Sequence, residues 1–117
     1  MTHKETDHGL ETLLAMHGEK YHFANGYWTK FEVWAVEPSI HIPHGIRYSL
    51  TLHNRHNHRL LGYDNAHAIK TKKKYGARKV SWDHKHGQDT VENYEFETAA
   101  SLMEDFWNDV NKILEDS

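Results

Sequence analysis

Cysteine is missing from all 117 residues. That removes disulfides, thiolate zinc sites and cysteine nucleophiles, and it suits a reducing compartment. Proline occurs only at Pro38 and Pro43, which bracket SIHI and end a strand, because neither has an amide proton for a sheet ladder. No stretch approaches the roughly 18 apolar residues of a membrane span, and the opening MTHKETDHG has no apolar run of signal-peptide length. The expectation is a cytoplasmic protein with no membrane partner. Internal repeats, low-complexity segments and fixed metal signatures such as HExxH are absent too.

What is present is aromatic surface and an uneven distribution of charge. Four Trp, six Tyr and four Phe argue against disorder, although the chain is only 38% hydrophobic and is 26% charged. The length fits one domain, residues 1–117. A formal charge of −3 hides nine Lys or Arg against two acids between Arg55 and His86, on an otherwise acidic body. Such a segment points to a directed anionic partner; a solvated lysine loop is the plain alternative.

Leu10, Leu13, Leu14 and His17 recur at helical spacing, which predicts a short amphipathic helix stopped by Gly18. YHFA, the Asn25-Gly26 turn signal and YWTKFEVWAV read as a β-hairpin. Ile46, Tyr48, Leu50 and Leu52 alternate with Arg47, Ser49, Thr51 and His53 in a third strand with one core face and one wet face. The turn NRHN leads to a fourth strand, HRLLGYD. Residues 66–79 read as a basic loop, VSWDHKH as a fifth strand, and NYEFE as the approach to a terminal helix. In that helix Leu102, Met103, Phe106, Val110, Ile113 and Leu114 form an apolar stripe with Glu104, Asp105, Asn108 and Asp109 opposite, and Thr98 is the candidate N-cap. The predicted fold class is α+β: a mostly antiparallel four- to five-stranded sheet with a short N-terminal helix and a longer C-terminal helix packed on one face.

Asp64 and Asn65 fall where the fourth strand enters the basic loop, a place where rigid elements present side chains to ligands; an Asx turn is the plain alternative. His67 follows at once, and Asp83-His84-Lys85-His86 closes the loop. In an extended segment His84 and His86 project to one side, Asp83 and Lys85 to the other. Two imidazoles on one face suit a metal chelate, or an acid and a base flanking a scissile phosphodiester, since histidine titrates near neutrality. In metal-free cleavage a base takes the 2′-hydroxyl proton, an acid protonates the 5′-oxygen, and a cation stabilises the phosphorane. The candidate catalytic residues are Asp64, Asn65, His67, Asp83, His84 and His86, and the candidate phosphate ligands are Lys72, Lys73, Lys74, Arg78, Lys79 and Lys85. That scheme needs no cofactor. Its alternative is Zn²⁺ or another divalent ion on His67, His84 and His86 with Asp64 or Asp83. Twelve histidines make an accidental pair a real alternative; His3, His8, His41, His44, His56 and His58 read as turn or solvent residues, His22 and His53 as structural.

The order Gly62-Tyr63-Asp64-Asn65, Asp83-His84-Lys85-His86, Tyr94-Glu95-Phe96, then Leu102 with Asp105-Phe106 and Val110 resembles the TumE family of small toxin components from prokaryotic toxin–antitoxin modules, over roughly residues 45–112. Lys85 stands where that family usually has arginine, keeping the charge but not the bidentate fork, and the basic insert is longer than usual. The resemblance implies a toxin acting inside the cell on RNA or translation, paired with a separately encoded helix-turn-helix antitoxin. A small endoribonuclease is the leading expectation. A non-catalytic module docking on nucleic acid or the ribosome, and a metal-dependent hydrolase or transferase on the same histidines, are the rivals; self-association into a homo-oligomer stays open.

Overall fold

The computed structural model describes residues 9–40, 42–65, 69–72, 78–81 and 83–116, the stretches 69–72 and 78–81 by their backbone alone. In chain order the elements are α1 (Leu10–Ala15), β1 (Lys20–His22), β2 (Trp28–Ala35), β3 (Ile46–His53), β4 (Arg59–Asp64), β5 (Ile69–Lys72), β6 (Arg78–Ser81), β7 (His84–His86), β8 (Val91–Asn93) and α2 (Ala99–Asp116). Six strands form one open sheet in the order β1-β2-β3-β4-β7-β8, antiparallel at every step, and β5 and β6 pair with each other. The fold is α+β as predicted, with more strands. No helix among the described residues is long and apolar enough to cross a membrane.

Two sequence readings change. Residues 66–79, expected as a loop, contain β5 and the start of β6, and the expected fifth strand is two strands, β6 ending at Ser81 and β7 beginning at His84. Lysine content suggested a solvated loop, yet Ile69-Lys70-Thr71-Lys72 alternates β-branched with polar residues and finds its partner in 78–81, a pairing that local composition cannot show.

The core follows from alternation. Ile46, Tyr48, Leu50 and Leu52 are buried while the residues between them are half-buried. Register carries that face across the sheet, pairing Leu50 with Phe31 on one side and with Tyr63 on the other. Against it α2 lays Ala99, Leu102, Phe106 and Val110, and α1 adds Leu13. Phe106 meets Phe31 edge-on at 5.4 Å and Tyr63 at 5.9 Å, the geometry aromatic quadrupoles favour. The start of α2 is fixed by Thr98: its Oγ1 accepts the Ser101 amide at 3.0 Å, while Ser101 Oγ accepts the Thr98 amide at 3.1 Å, a capping box with serine in the reciprocal position. The β1–β2 turn needs Gly26, whose φ is 90° and whose position leaves a Cβ only 2.8 Å from Arg55 Cβ.

The last step of the β3–β4 ladder is made by a side chain. Asn65 is fully buried; its Oδ1 accepts the Tyr48 amide at 3.0 Å and its Nδ2 donates to the Ile46 carbonyl at 2.8 Å. The Asn65 amide bonds the Tyr48 carbonyl at 3.3 Å. This side chain therefore fixes where the chain leaves the sheet, one residue after Asp64. Asn65→Ala strands a buried N–H and a buried C=O, so it should lower stability by about 2–4 kcal/mol. Urea denaturation reads this as a lower midpoint at unchanged slope; a loss under about 0.5 kcal/mol would mean that water replaces the amide.

Candidate functional site

Alternation along β4 and β7 sorts their side chains onto two faces. Tyr63 and Lys85, paired across the ladder, face α2: the Tyr63 hydroxyl donates to Asp109, and Lys85 Nζ lies 2.8 Å from Asp109 Oδ2 and 5.8 Å over the Tyr63 ring. Gly62, Asp64, His84 and His86 therefore face away from the helices. Register sets Asp64 opposite His84 and Gly62 opposite His86, so one carboxylate meets one imidazole across the strand and the other diagonally. His84 Nδ1 is 3.4 Å from Asp64 Oδ1, and His86 Nε2 is 3.1 Å from Asp64 Oδ2.

One donor atom from each of the three residues lies within 4.8 Å of the others. Exposure grades the cluster from floor to mouth: 2% for the His84 side chain, 16% for His86 and 18% for Asp64. Burial lowers the His86 pKa below the ordinary imidazole value; Asp64 opposes the shift, and the charge of Arg59 and the neighbouring His84 add to it. Arg59 lies alongside Gly62, its Nη1 3.6 Å from where a Cβ would stand.

The other expected site residues have different partners. Asp83 belongs to the helix-side face, where its Oδ2 accepts the Tyr48 hydroxyl at 2.7 Å and sits 3.1 Å from His44 Nε2. Burial first, and Asp83 second, raise the Tyr48 hydroxyl far above the ordinary phenol value. His44, expected in solvent, has a side chain only 10% exposed and packs against Phe96 at 4.0 Å between ring centres. The linker holding it turns back onto the approach to β7, a tertiary contact that its local polarity hid. The Asn65 amide is committed to backbone, and Lys85, expected on phosphate, is paired with Asp109 on the opposite side of the sheet from His84 and His86. His67, Lys73 and Lys74 lie outside the described residues, and Lys72, Arg78 and Lys79 sit on β5 and β6, described by backbone alone.

Sequence reasoning passed over two things. Asp105 and Asp109, expected on the solvent side of α2, accept hydrogen bonds from the Tyr94 and Tyr63 hydroxyls. Burial and these carboxylates raise both phenols. The available signal is that Tyr63, Tyr94 and Asp105 belong to the same motif set, with Asp109 one helical turn beyond Asp105. Arg59 reads in sequence only as charge; its signal is Gly62, a strand glycine beside which a long side chain can lie.

A family model described as Toxin TumE matches residues 15–114. No curated protein and no solved structure matches the chain.

Lys85→Gln tests the reassignment of that lysine. Its ion pair is partly exposed, so the change should lower stability by about 1 kcal/mol or less, read by urea denaturation. Titrated with labelled RNA and read by fluorescence anisotropy, the variant should give the parent's curve at every salt concentration; a weaker curve with a flatter salt slope would return Lys85 to the expected phosphate ligands.

Proposed function

The chain belongs to the TumE family, toxins of toxin–antitoxin modules, and from that premise we propose that it cleaves RNA at the cluster of Asp64, His84 and His86. The observation supporting this reading is the convergence of two imidazoles on one carboxylate, on the sheet face away from the helices, at the two ends of a segment dense in Lys and Arg. Cleaving a phosphodiester requires a group that takes the proton of the attacking oxygen and positive charge near the phosphoryl oxygens. The cluster supplies the first and sits beside Arg59 for the second, and Lys72, Lys73, Lys74, Arg78 and Lys79 hold the RNA backbone.

Two routes to proton removal exist. An imidazole takes the proton itself, or Asp64, His84 and His86 would hold a cation, which would supply a hydroxide as the base by lowering the pKa of water. An acid and a base working alone need the phosphate between them, and here the Asp64 carboxylate bridges the two imidazoles. That position favours the second route. A toxin of this family has an antitoxin partner; in this reading it is a separately encoded helix-turn-helix protein, and the toxin works in the cytoplasm.

Labelled RNA incubated with the purified protein should be cut. Asp64→Asn and His86→Gln should each slow cutting by at least about 10²-fold, because groups acting as one unit fail together, with thermal unfolding close to the parent's. RNA bound intact by the parent, with and without added divalent ions, would refute cleavage and leave a docking module. In the same preparation, replacing Lys72, Lys73 and Lys74 by Gln should reduce the salt slope of RNA binding by about 2, since each single-strand phosphate contact contributes roughly 0.7; an unchanged slope would mark the run as solvated surface.

A further inference from the structure

The cluster has the dimensions of a transition-metal site. In a tetrahedral zinc site with bonds of about 2.0–2.2 Å, neighbouring donors stand about 3.4 Å apart. His84 Nδ1 lies 3.4 Å from Asp64 Oδ1 and His86 Nε2 3.1 Å from Asp64 Oδ2, and with one oxygen taken from the carboxylate the three donor atoms lie within 4.8 Å of one another, close enough for small side-chain rotations to bring them to that spacing. A hydrogen-bonded trio offers a rival account of the short distances. It requires both imidazoles to present N–H to one carboxylate, whereas a cation accepts both nitrogens as lone-pair donors and neutralises the carboxylate at once.

The donors come from rigid elements. His84 and His86 are alternate residues of β7, and Asp64 is the cross-strand partner of His84 on β4, so backbone pairing alone sets their spacing. Asn65 then locks the end of β4 with its buried side chain. Two imidazoles and one carboxylate suit zinc and its first-row neighbours; magnesium and calcium prefer all-oxygen shells. The floor is closed by buried His84, while Asp64 and His86 reach the surface, so a fourth position faces outward. Among the described residues these three are the donors that converge, and three protein ligands with one further position describe a reactive zinc site rather than a structural one.

We propose that Asp64, His84 and His86 bind one Zn²⁺ ion, whose remaining position is left for water or a phosphate oxygen. The binding geometry stands by itself; only the ion's place in RNA cleavage rests on the nuclease reading above.

The test is calorimetric titration of Zn²⁺ into the full chain after chelator dialysis, with Co²⁺ absorption as a second readout. One equivalent should bind at micromolar Kd or tighter, and Co²⁺ should give visible bands of low coordination number. Asp64→Asn and His86→Gln should each weaken binding by at least about 100-fold, since loss of an outer-shell partner alone costs 10- to 100-fold. His84 is buried and its variants risk misfolding, so these two partly exposed ligands carry the test. With twelve histidines in the chain, the double variant His56→Gln/His58→Gln, at exposed turn positions, controls for surface binding and should bind as the parent does. The proposal is overturned if the parent binds no ion, or if binding survives Asp64→Asn and His86→Gln but not the turn variant. Zinc bound without RNA cleavage would uphold the site and defeat the nuclease reading; RNA cleaved in chelator by protein that binds no zinc would do the reverse.

Discussion

Three residue pairs between β4 and β7, Gly62 with His86, Tyr63 with Lys85 and Asp64 with His84, join the core to the cluster of two imidazoles and a carboxylate. Strand side chains alternate, so a slip of one residue would exchange the two faces completely. Tyr63 would leave its place beside Phe106, and the Asp64 carboxylate would enter the apolar layer under α2. The penalty for burying an unpaired carboxylate there weighs against any such one-residue slip. Thus the packing that stabilises the sheet also delivers Asp64 to the two imidazoles.

Hydrophobic burial by itself would not set that register finely, because it is non-directional. Leu102, Phe106 and Val110 supply the attraction between α2 and the sheet, and the hydroxyls of Tyr63 and Tyr94 supply the address. They donate to Asp109 and Asp105, one helical turn apart, so sliding or rotating α2 breaks both bonds together. Lys85 completes the arrangement by pairing with Asp109, tying the middle residue of β7 to the helix. The residues flanking it, His84 and His86, are held on the opposite face by the same anchor.

What could be read from the sequence was local in origin. The alternation from Ile46 to His53, the Thr98 cap, the Asn25-Gly26 turn and the shared face of His84 and His86 depend on periods of two or on contacts a few residues apart, and all appear in the structure. What escaped was tertiary. Asp83 bonds His44 at a separation of 39 residues, and nothing in either neighbourhood announces the other. Asp105 and Asp109 looked solvated because helical periodicity places them beside the apolar stripe, and only the tyrosines across the interface give them partners. The motif Gly62-Tyr63-Asp64-Asn65 was visible as a unit, but its division of labour was not. Gly62 has Arg59 alongside it, Tyr63 holds the helix, Asp64 faces the histidines and Asn65 closes the ladder.

The two histidines that look equivalent in sequence are unequal in the fold. His84 lies on the floor under Asp64, and His86 lies near the mouth with Arg59 close enough to affect it. A phosphate approaching this face meets a carboxylate as well as the imidazoles, and like charges at such range repel strongly where solvent is thin. Attraction must therefore come from positive charge, that of the proposed ion within the cluster and that of the basic residues beside it. The chain concentrates its Lys and Arg in the stretch that joins β4 to β7, so the segment that carries the polypeptide from one half of the site to the other also holds the basic residues. On an otherwise acidic body, that segment is the concentration of positive charge on which the proposed binding of RNA draws.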